Sequence, residues 1–386
     1  MSHILMASVG AHGHVNPNLP VIAELVERGH RVSYAIPASF AEVVASTGAT
    51  PVVYRTQLPD ESAGEQWPTD PLDGMTIFFE EATRVLPQLE AALEDDRPDA
   101  VLYDITGYPA RVLAHRWSVP LLQLSPSMVA WQGFEEDMAD AFAFLSEPAG
   151  LAYRARFDEW LAEQGVPLRS DEFTGRPPRC AVLIPKALQP NADRVDDSVY
   201  TFVGPALDRR PHQGGWPSGD RPLLLVSLGS AYTDHLDLYL ACIEAFRDTE
   251  WDVVMSIGVH VNPADLGELP PNITVHRWVP QLAVLGQASA FVTHAGMGGC
   301  SEGLYQGVPM VALPQAVDQF GNAAMLAELG VGAQLAEPVT ADALREAVLS
   351  LAASPEVAAR LAELRAELRA AGGASAAADI VEQLLA

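Results

Sequence analysis

Hydrophobic and polar positions alternate along the first 130 residues in patterns that predict strands and helices in turn. Short apolar runs predict five strands, at residues 4–9, 31–36, 51–54, 100–103 and 120–124. Helix-like patterns lie between them, at residues 19–28 and 40–46, within 75–94, and up to residue 117. Such an alternation of strands and helices predicts a parallel sheet that is covered by helices on both faces.

A second alternation begins after residues 206–222, a segment rich in proline, glycine and charged residues that predicts a linker. Beyond it, strands are predicted at residues 223–227, 251–257, 273–276, 290–293 and 310–312, and the chain from residue 341 onwards is predicted to be helical. The predicted fold class is therefore α/β, with two Rossmann-like, doubly wound parallel-sheet domains that face each other across a deep cleft. The expected domains are residues 1–205 and 223–372.

The balance of charged residues restricts the partners that this chain can have. Its 386 residues include 23 basic and 50 acidic ones, which gives a net charge of −27. A chain of this charge repels nucleic acids and anionic membranes, so neither is expected as a partner. The acidic residues form a solvated surface or, as the alternative, attract a cationic acceptor such as one with an amino sugar.

The spacing of the cysteines and the lengths of the apolar runs indicate the cellular compartment of the protein. Cys180, Cys242 and Cys300 are far apart and have neither metal-ligand nor redox spacing, which favours reduced thiols in the cytoplasm. The N-terminal segment lacks the basic region of a signal peptide, and no apolar run is long enough to span a bilayer. We therefore expect a cytoplasmic protein.

The C-terminal half contains the segment with the most specific chemistry. The apolar strand at 290–293 leads into a glycine-rich turn at residues 294–299 (HAGMGG), where a helix begins. Glycines let the backbone approach an anion, and a helix N-terminus points N–H groups at it, so this turn predicts a pyrophosphate site. Glu302, one turn into the helix, and the pair Asp318-Gln319 after the next strand are suited to bind sugar hydroxyls. The segment therefore predicts a nucleotide-sugar site.

A candidate base lies in the N-terminal half. His14 is expected in the loop after the first strand, and Asp104 directly follows the strand at 100–103, at the same edge of the parallel sheet. Activation of an alcohol needs a base, and an imidazole whose far nitrogen is held by a carboxylate suits that task. His12 is the rival residue, and its alternative role is to shape the loop or to contact the substrate.

These motifs together resemble a known family. The segment from Trp278 to Gln319 resembles the donor-binding signature box of family 1 glycosyltransferases, the inverting enzymes that use UDP-sugars. With residues 11–17 (AHGHVNP) and 104–111 (DITGYPAR), the chain resembles the bacterial macrolide glycosyltransferases over nearly its whole length. The resemblance implies the GT-B architecture and His14 with Asp104 as the catalytic pair. It also implies a last helix, residues 373–386, that crosses back to the first domain.

The resemblance assigns roles to the residues of the donor box. Trp278 would stack on the uracil ring, Gln281 would face the ribose or the base edge, and Glu302 would bridge the ribose hydroxyls. The predicted donor-binding residues are Ser227, Ser230, Trp278, Val279, Gln281, His294, Gly296, Gly298, Gly299, Cys300, Glu302, Asp318 and Gln319. Because dTDP lacks the 2′-hydroxyl, UDP is preferred, and the Asp-Gln ending makes UDP-glucose the first choice of donor and UDP-galactose the second.

The sequence departs from the plant form of the box at two positions, where Met297 replaces tryptophan and Gly298 replaces asparagine. Contacts of that asparagine side chain are therefore absent, and backbone donors take their place. The chain also contains no Asp-X-Asp triplet, the metal clamp of many other glycosyltransferases. We expect metal-independent transfer without a cofactor, in which His294, backbone amides and the helix dipole stabilise the leaving UDP. One in-line displacement would invert the anomeric carbon.

Large apolar residues of the first domain predict a roomy acceptor pocket. The candidates are His12 and the apolar residues Trp67, Phe78, Phe79, Met128, Trp131 and Phe134. The alternative is that these side chains form the core beneath their helices. The expected acceptor is a macrolide, a polyketide or a flavonoid-like compound. The neighbouring acidic residues 135–137 are plain surface, or else they attract a cationic acceptor. A monomer and a homodimer are both compatible with the sequence.

The first hypothesis is glucosyl transfer that serves antibiotic inactivation, self-resistance or detoxification. Three other functions are alternatives to it. An oxidoreductase would need the Gly-X-Gly-X-X-Gly fingerprint, which residues 9–14 do not supply. A non-catalytic nucleotide-sugar-binding partner subunit would have no need of the pair His14 and Asp104. A biosynthetic transferase that uses a dTDP-deoxysugar is disfavoured, but not excluded, by Glu302 and Gln319.

Overall fold

The computed structural model describes residues 1–60, 65, 67–207, 214–229, 233–316 and 318–386. Its contacts divide the chain into two compact units. The first unit consists of Met1–Asp60, Gln66–Arg209 and Gly372–Ala386, and the second consists of Glu61–Glu65 and Arg210–Ala371. In the described part of the chain, no helix is both long enough and apolar enough to cross a bilayer.

The first unit is built on a parallel sheet of seven strands in the order β3-β2-β1-β4-β5-β6-β7. These strands are β1 His3–Ala7, β2 Arg31–Pro37, β3 Thr50–Tyr54, β4 Ala100–Tyr103, β5 Leu121–Ser125, β6 Cys180–Val182 and β7 Tyr200–Phe202. The central strands are buried on both faces, which is why their sequences are continuous apolar runs.

Helices pack on both faces of this sheet and close two apolar cores. They are α1 His12–Glu27, α2 Ala41–Ala45, α3 Pro71–Leu93, α4 Tyr108–Trp117, α5 Phe134–Asp137, α6 Pro148–Glu163 and α7 Ser170–Gly175, with 3₁₀ turns at Ala38–Phe40, Ala143–Ser146, Lys186–Leu188 and Ala192–Arg194. The start of α3 is defined by Asp70, whose carboxylate accepts hydrogen bonds from the Leu72 and Asp73 N–H groups.

The second unit repeats this design with a parallel sheet of six strands in the order β10-β9-β8-β11-β12-β13. The strands are β8 Leu223–Ser227, β9 Asp252–Ser256, β10 Ile273–His276, β11 Ala290–Thr293, β12 Met310–Ala312 and β13 Gly332–Gln334. The helices are α8 Leu236–Phe246, α9 Gln281–Leu285, α10 Met297–Gln306, α11 Gln319–Glu328, α12 Ala341–Ala353 and α13 Pro355–Ala370, with a 3₁₀ turn at Pro263–Leu266.

The final helix, α14 Gly373–Leu385, belongs to the first unit. Its apolar face adds Ala377, Ala378 and Val381 to the core that also contains residues of β1 and α1. At its edge, the Arg28 guanidinium on α1 binds the carboxylates of Asp379 and Glu382 at 2.6 and 2.8 Å. Burial and ion pairs therefore both attach α14 to the helix that contains His14.

The prediction of two Rossmann-like parallel sheets is confirmed. Three strands were not predicted, namely β6, β7 and β13. Each has three residues, as has β12, which was predicted, and a run of this length shows no period by itself. The first helix was placed wrongly, since it begins at His12 and not at Leu19 and contains Pro17 and Pro20. His14 therefore lies in the first turn of α1 and not in a loop. Of the predicted linker, residues 208–213 lie outside the described residues.

Candidate functional site

The two residues of the proposed catalytic pair, His14 and Asp104, follow neighbouring strands at the point where the strand order of the first sheet reverses. β1 lies between β2 and β4, with Ala7 opposite Tyr103 at the carboxyl ends of β1 and β4. The chain leaves these ends in different directions, so a crevice forms there, which is the usual ligand site of an open parallel sheet. His14 follows β1 on α1, and Asp104 is the first residue after β4.

His14 and Asp104 are in contact. The Nδ1 atom of His14 lies 2.7 Å from Oδ2 of Asp104. The Asp104 side chain is fully buried, and its Oδ1 atom accepts a 3.0 Å hydrogen bond from the Thr106 N–H. A buried carboxylate at this distance stabilises the tautomer with hydrogen on Nδ1 and stabilises the imidazolium once it forms. With Nδ1 engaged, a proton taken from a substrate is accepted at Nε2.

The residues around this pair hold it in place. Asn18, one turn further along α1 and fully buried, donates a 2.6 Å hydrogen bond to the His14 carbonyl. His12, the rival of His14, is exposed on the first turn of α1, and its ring meets Phe40 edge-on with the centroids 5.1 Å apart. His12 thus lies next to the base but outside the ion pair.

The donor-box residues of the second unit lie at the corresponding position of its sheet. β8, β11 and β12 are adjacent, and the order of the strands reverses between β8 and β11. Ser227 ends β8 and is buried, residues 294–299 follow β11, and the pair Asp318-Gln319 follows β12. The structure therefore collects three separate parts of the predicted donor site at one sheet edge. Ser230 lies outside the described residues.

The helix α10 begins at this edge with its N–H groups uncapped by any side chain. Gly296 is the N-cap residue and has no side chain to accept from the first turn. The first N–H groups of a helix have no partner within the helix, and the helix dipole adds a partial positive charge. Gly298, in this turn, has no atom within 4 Å of the position of a Cβ. The turn thus offers donors and open space to an anion.

Residue Ala295, in the turn before α10, has a left-handed backbone with φ of 62°. Two buried side chains hold it in this conformation. Thr293 Oγ1 accepts a hydrogen bond from the Ala295 N–H at 3.1 Å, and Asn322 Nδ2 donates to the Ala295 carbonyl at 2.9 Å. Neither Thr293 nor Asn322 was predicted as a site residue.

His294 lies between two glycines. A Cβ on Gly229 would be 2.6 Å from Cε1 of the ring, and one on Gly296 would be closer still to Nε2. Burial lowers the pKa of His294 to about 4, and the Ser227 carbonyl offsets only part of that effect. The ring is therefore neutral near pH 7 and has a single N–H group, which can donate a hydrogen bond either to the Ser227 carbonyl or to an anion. The need for glycine at position 229 was not predicted.

The residues assigned to the nucleoside differ in exposure. Trp278 exposes 61% of its surface, as a platform for a flat base requires, whereas Val279 beside it is buried. Gln281 Nε2 donates a 2.8 Å hydrogen bond to Glu302 Oε2, so these two predicted residues form one polar group. The Cys300 side chain is completely buried, and burial raises the pKa of its thiol, so this residue has only its backbone to offer a ligand.

Asp318 and Gln319 complete the donor side. Burial raises the pKa of the Asp318 carboxyl, and a hydrogen bond from Asn322 at 2.9 Å partly opposes this shift. The Oε1 atom of Gln319 accepts from the Gln315 and Ala316 N–H groups at 2.7 and 3.1 Å. Gln319 thus shapes the loop after β12, and its amide nitrogen is the atom with which it would meet a sugar hydroxyl.

The predicted acceptor residues fall into three groups. Trp67 and Phe78 pack together at a centroid distance of 5.6 Å, next to Val9 and Ala11 and so beside the loop that leads to His14. Trp131 and Phe134 form a second aromatic pair at 4.9 Å, and the nearby Met128 is half-buried. Phe79 is different, since only 2% of its surface is exposed.

Phe79 stacks on Phe157 in the core of the first unit at 4.6 Å. Neighbours on a helix point about 100° apart, so Phe78 and Phe79 face different surroundings. The structure therefore assigns Phe79 to the core, against the expectation that it lines an acceptor pocket.

Two of the three acidic residues at positions 135–137, beside the second aromatic pair, form ion pairs with arginines. Glu135 binds Arg176 at 2.7 Å, and Asp137 binds Arg194 at 2.8 Å while it also accepts from the Trp131 indole N–H. Their role is to fix the segment that contains Trp131 and Phe134. Among the residues that the structure describes, no group of three or more histidine, cysteine, aspartate or glutamate side chains is arranged to hold a metal ion.

Comparisons with known proteins agree with these observations. Residues 178–365 match a family model described as "UDP-glucoronosyl and UDP-glucosyl transferase". The chain is 54% identical to the oleandomycin glycosyltransferase of Streptomyces antibioticus, over 99% of this chain and 90% of that protein. It is 36% identical to the NDP-glycosyltransferase YjiC of Bacillus licheniformis, over 100% of this chain and 98% of the other. A solved structure of the glycotransferase of kitacinnamycin superposes with a TM-score of 0.92 at 49% identity, covering 100% and 99% of the two chains.

Proposed function

The chain belongs to the family 1 glycosyltransferases, and we propose that it transfers glucose from UDP-glucose to a hydroxyl group of a macrolide or a similar hydrophobic natural product. Its membership was predicted from the sequence motifs and is confirmed. The observation that supports the proposed chemistry best is the 2.7 Å contact between His14 Nδ1 and Asp104 Oδ2. A protein that only binds a nucleotide sugar has no use for a base held in this way.

The reaction proceeds as one displacement. The acceptor hydroxyl gives its proton to His14 Nε2, and its oxygen forms a bond to the anomeric carbon of glucose. The bond from that carbon to the diphosphate breaks at the same time, and UDP leaves with the electron pair. Because attack and departure occur on opposite faces, the configuration of the anomeric carbon is inverted. Asp104 stabilises the imidazolium that forms.

The charge on the departing UDP is met by fixed groups of the second unit. The first turn of α10 has N–H groups and no side-chain cap, and His294 supplies one further donor beside it. Preorganised donors of this kind are typically the largest source of transition-state stabilisation. They support a transfer that needs neither a metal ion nor a cofactor, so EDTA is expected to leave the rate unchanged.

Two further observations support the donor and the acceptor. Glu302 and Gln281 form a hydrogen-bonded pair suited to ribose hydroxyls, which favours UDP over dTDP. The 54% identity to the oleandomycin glycosyltransferase and the aromatic pairs around Trp67 and Trp131 support a large apolar acceptor. Inactivation of an antibiotic, self-resistance or detoxification is the biological use that fits such a product. The three cysteines are free and buried thiols, which is consistent with the cytoplasm.

The test is mass spectrometry of the products formed from UDP-glucose or dTDP-glucose with a panel of macrolides and flavonoids. We expect a hexose on a macrolide with UDP-glucose, and a β-linked product by NMR from the α-linked donor. His14→Ala should lower kcat roughly 10²–10⁴-fold while UDP binding is retained. Asp104→Asn should lower kcat as well, whereas Asp96→Asn, which removes an exposed partner of Arg31, should not. Full turnover by His14→Ala would refute the assignment of the base.

A further inference from the structure

Asn322 connects two separate parts of the donor box. It lies on α11, it is fully buried, and its Nδ2 atom donates one hydrogen bond to the Ala295 carbonyl and one to Asp318 Oδ2, each 2.9 Å long. A side-chain amide nitrogen has two hydrogen atoms, so both are in use. One side chain therefore joins the turn before α10 to the carboxylate that precedes α11.

The bond to Ala295 holds a backbone conformation that residues with a Cβ rarely adopt. A left-handed φ of 62° is strained for such a residue and persists only where the surroundings impose it. In a trans peptide the carbonyl and the following N–H point in opposite directions. Because the Ala295 carbonyl points toward Asn322 on α11, the N–H of Gly296 in the same peptide points away from α11.

The bond to Asp318 fixes the other part of the box. Burial raises the pKa of the Asp318 carboxyl, and the hydrogen bond from Asn322 favours its ionised form. The bond also occupies one side of Oδ2, so the carboxylate is held in one orientation. The carboxylate proposed to bind the sugar hydroxyls is therefore oriented by Asn322.

We propose that Asn322 is a positioning residue for the nucleotide-sugar donor, which sets the direction of the Gly296 amide and the orientation of the Asp318 carboxylate together. This inference rests on the proposed function, because it requires a nucleotide sugar at α10. Loss of Asn322 should weaken the binding of the diphosphate and of the sugar at once. A residue that only supports the fold would lower stability without this double effect.

The chain contains a matched control. Asn272 is also buried in the second unit, and its Nδ2 atom donates to two backbone carbonyls, those of Phe246 and Trp251, at 2.9 and 2.8 Å. In both asparagines the Oδ1 atom is buried and accepts no hydrogen bond from the described residues. The two side chains therefore make the same number of bonds, but Asn272 bonds the end of α8 and the start of β9 and not the donor box.

The experiment is calorimetric titration of the full chain with UDP, dTDP, UDP-glucose and dTDP-glucose. For the nucleotide that the wild type binds more tightly, Asn322→Ala should raise Kd by about tenfold, the value of one lost hydrogen bond to a charged or preorganised group. Its Kd for the corresponding glucose adduct should rise about fivefold more, because Asp318 loses its orientation. Asn322→Asp, which keeps the shape but lacks the N–H donors, should show the same pattern.

The control separates this role from general support of the fold. Asn272→Ala should lower Tm by an amount similar to that of Asn322→Ala and leave every Kd within about twofold of the wild type. Equal weakening by Asn272→Ala, or unchanged Kd values in both Asn322 variants, would overturn the role of Asn322. A wild type that prefers dTDP would overturn the proposed donor but not this role, since the comparison then uses dTDP. A wild type that binds neither nucleotide would overturn both.

Discussion

Gly229 leaves no room for a side chain beside His294, because a Cβ at this position would lie 2.6 Å from Cε1 of the imidazole ring. The same glycine has φ of 84°, a conformation that other residues rarely adopt. The turn after β8 thus acts as one wall of the slot that holds the ring. Gly296 at the start of α10 is the opposite wall.

Replacement of Gly229 should therefore displace His294 and weaken nucleotide binding. We expect Gly229→Ala to raise the Kd of UDP by about tenfold or more, measured by calorimetry, because the displaced His294 ring no longer donates a hydrogen bond to the diphosphate. Gly330→Ala is the control, since Gly330 in the same unit has φ of 71° but no atom within 4 Å of a Cβ. Both variants should lose on the order of 1 kcal/mol of stability from backbone strain. Equal UDP binding by the two variants would contradict the role of the slot.

The buried His294 should make stability fall in acid. Its pKa is about 4 in the folded chain and has the ordinary histidine value of 6.5 in the unfolded chain, so the unfolded state binds more protons between these two pH values. Stability conferred by the neutral ring is then complete above about pH 6.5 and is lost as the pH falls toward about 4, by up to about 3 kcal/mol. Urea titrations of the wild type and of His294→Asn at about pH 7 and about pH 4.5 test this prediction.

The comparison with His294→Asn is needed because Asp318 acts in the opposite direction. Burial raises the pKa of Asp318, so the folded state takes up its proton first, and this contribution increases stability as the pH falls. It is present in both proteins and cancels in their difference. The wild type should therefore lose more stability on acidification than His294→Asn does. Parallel losses would show that His294 does not titrate as described.

Glu302 should discriminate ribose from deoxyribose. If its carboxylate accepts from both ribose hydroxyls, the wild type should bind UDP about tenfold more tightly than 2′-deoxy-UDP. Glu302→Gln should reduce this ratio to less than about threefold, because a neutral acceptor forms the weaker hydrogen bond. Glu328→Gln, at the exposed far end of α11, is the control. A ratio unchanged by Glu302→Gln would remove Glu302 from the ribose site.

Two adjacent phenylalanines on α3 should behave differently. Phe78→Ala should raise the KM for the acceptor several-fold and cost less stability than Phe79→Ala, since Phe78 is half-buried and packs on Trp67 near Val9 and Ala11. Phe79→Ala should instead lower the free energy of unfolding by about 3–5 kcal/mol, because its ring is in the core. Urea titrations and acceptor kinetics on both variants separate the roles. An acceptor KM that changes only in Phe79→Ala would place the pocket elsewhere.

Much of the fold could be predicted because its central strands are buried on both faces. Residues 223–227 and 290–293 are continuous apolar runs, and both match strands of the structure residue for residue. The start of α1 could not be predicted, since Pro17 and Pro20 argue locally against a helix. Packing of Val15 and Leu19 into the core overrides that local preference.

The site was predictable where a residue type and a strand end coincide. Asp104 and the turn at 294–299 directly follow a strand. His14, which was expected in the loop after the first strand, lies in the first turn of α1 and contacts Asp104. The roles of Asn322 and Gly229 could not be predicted, because they arise from contacts with residues that are distant in sequence. Thr293 ends β11 and its bond to Ala295 is local, but a threonine at the end of a strand does not reveal such a bond. A buried asparagine on an amphipathic helix has no pattern that reveals which carbonyl it will bind.

The attachment of α14 to α1 has a consequence for biosynthesis. Residues 223–371 are translated before α14, so the core of the first unit cannot be completed until the residues of the second unit have been synthesised. Until then, His14 lies on a helix whose packing partner has not been synthesised. The part of the chain that is synthesised first is therefore the part whose core is finished last.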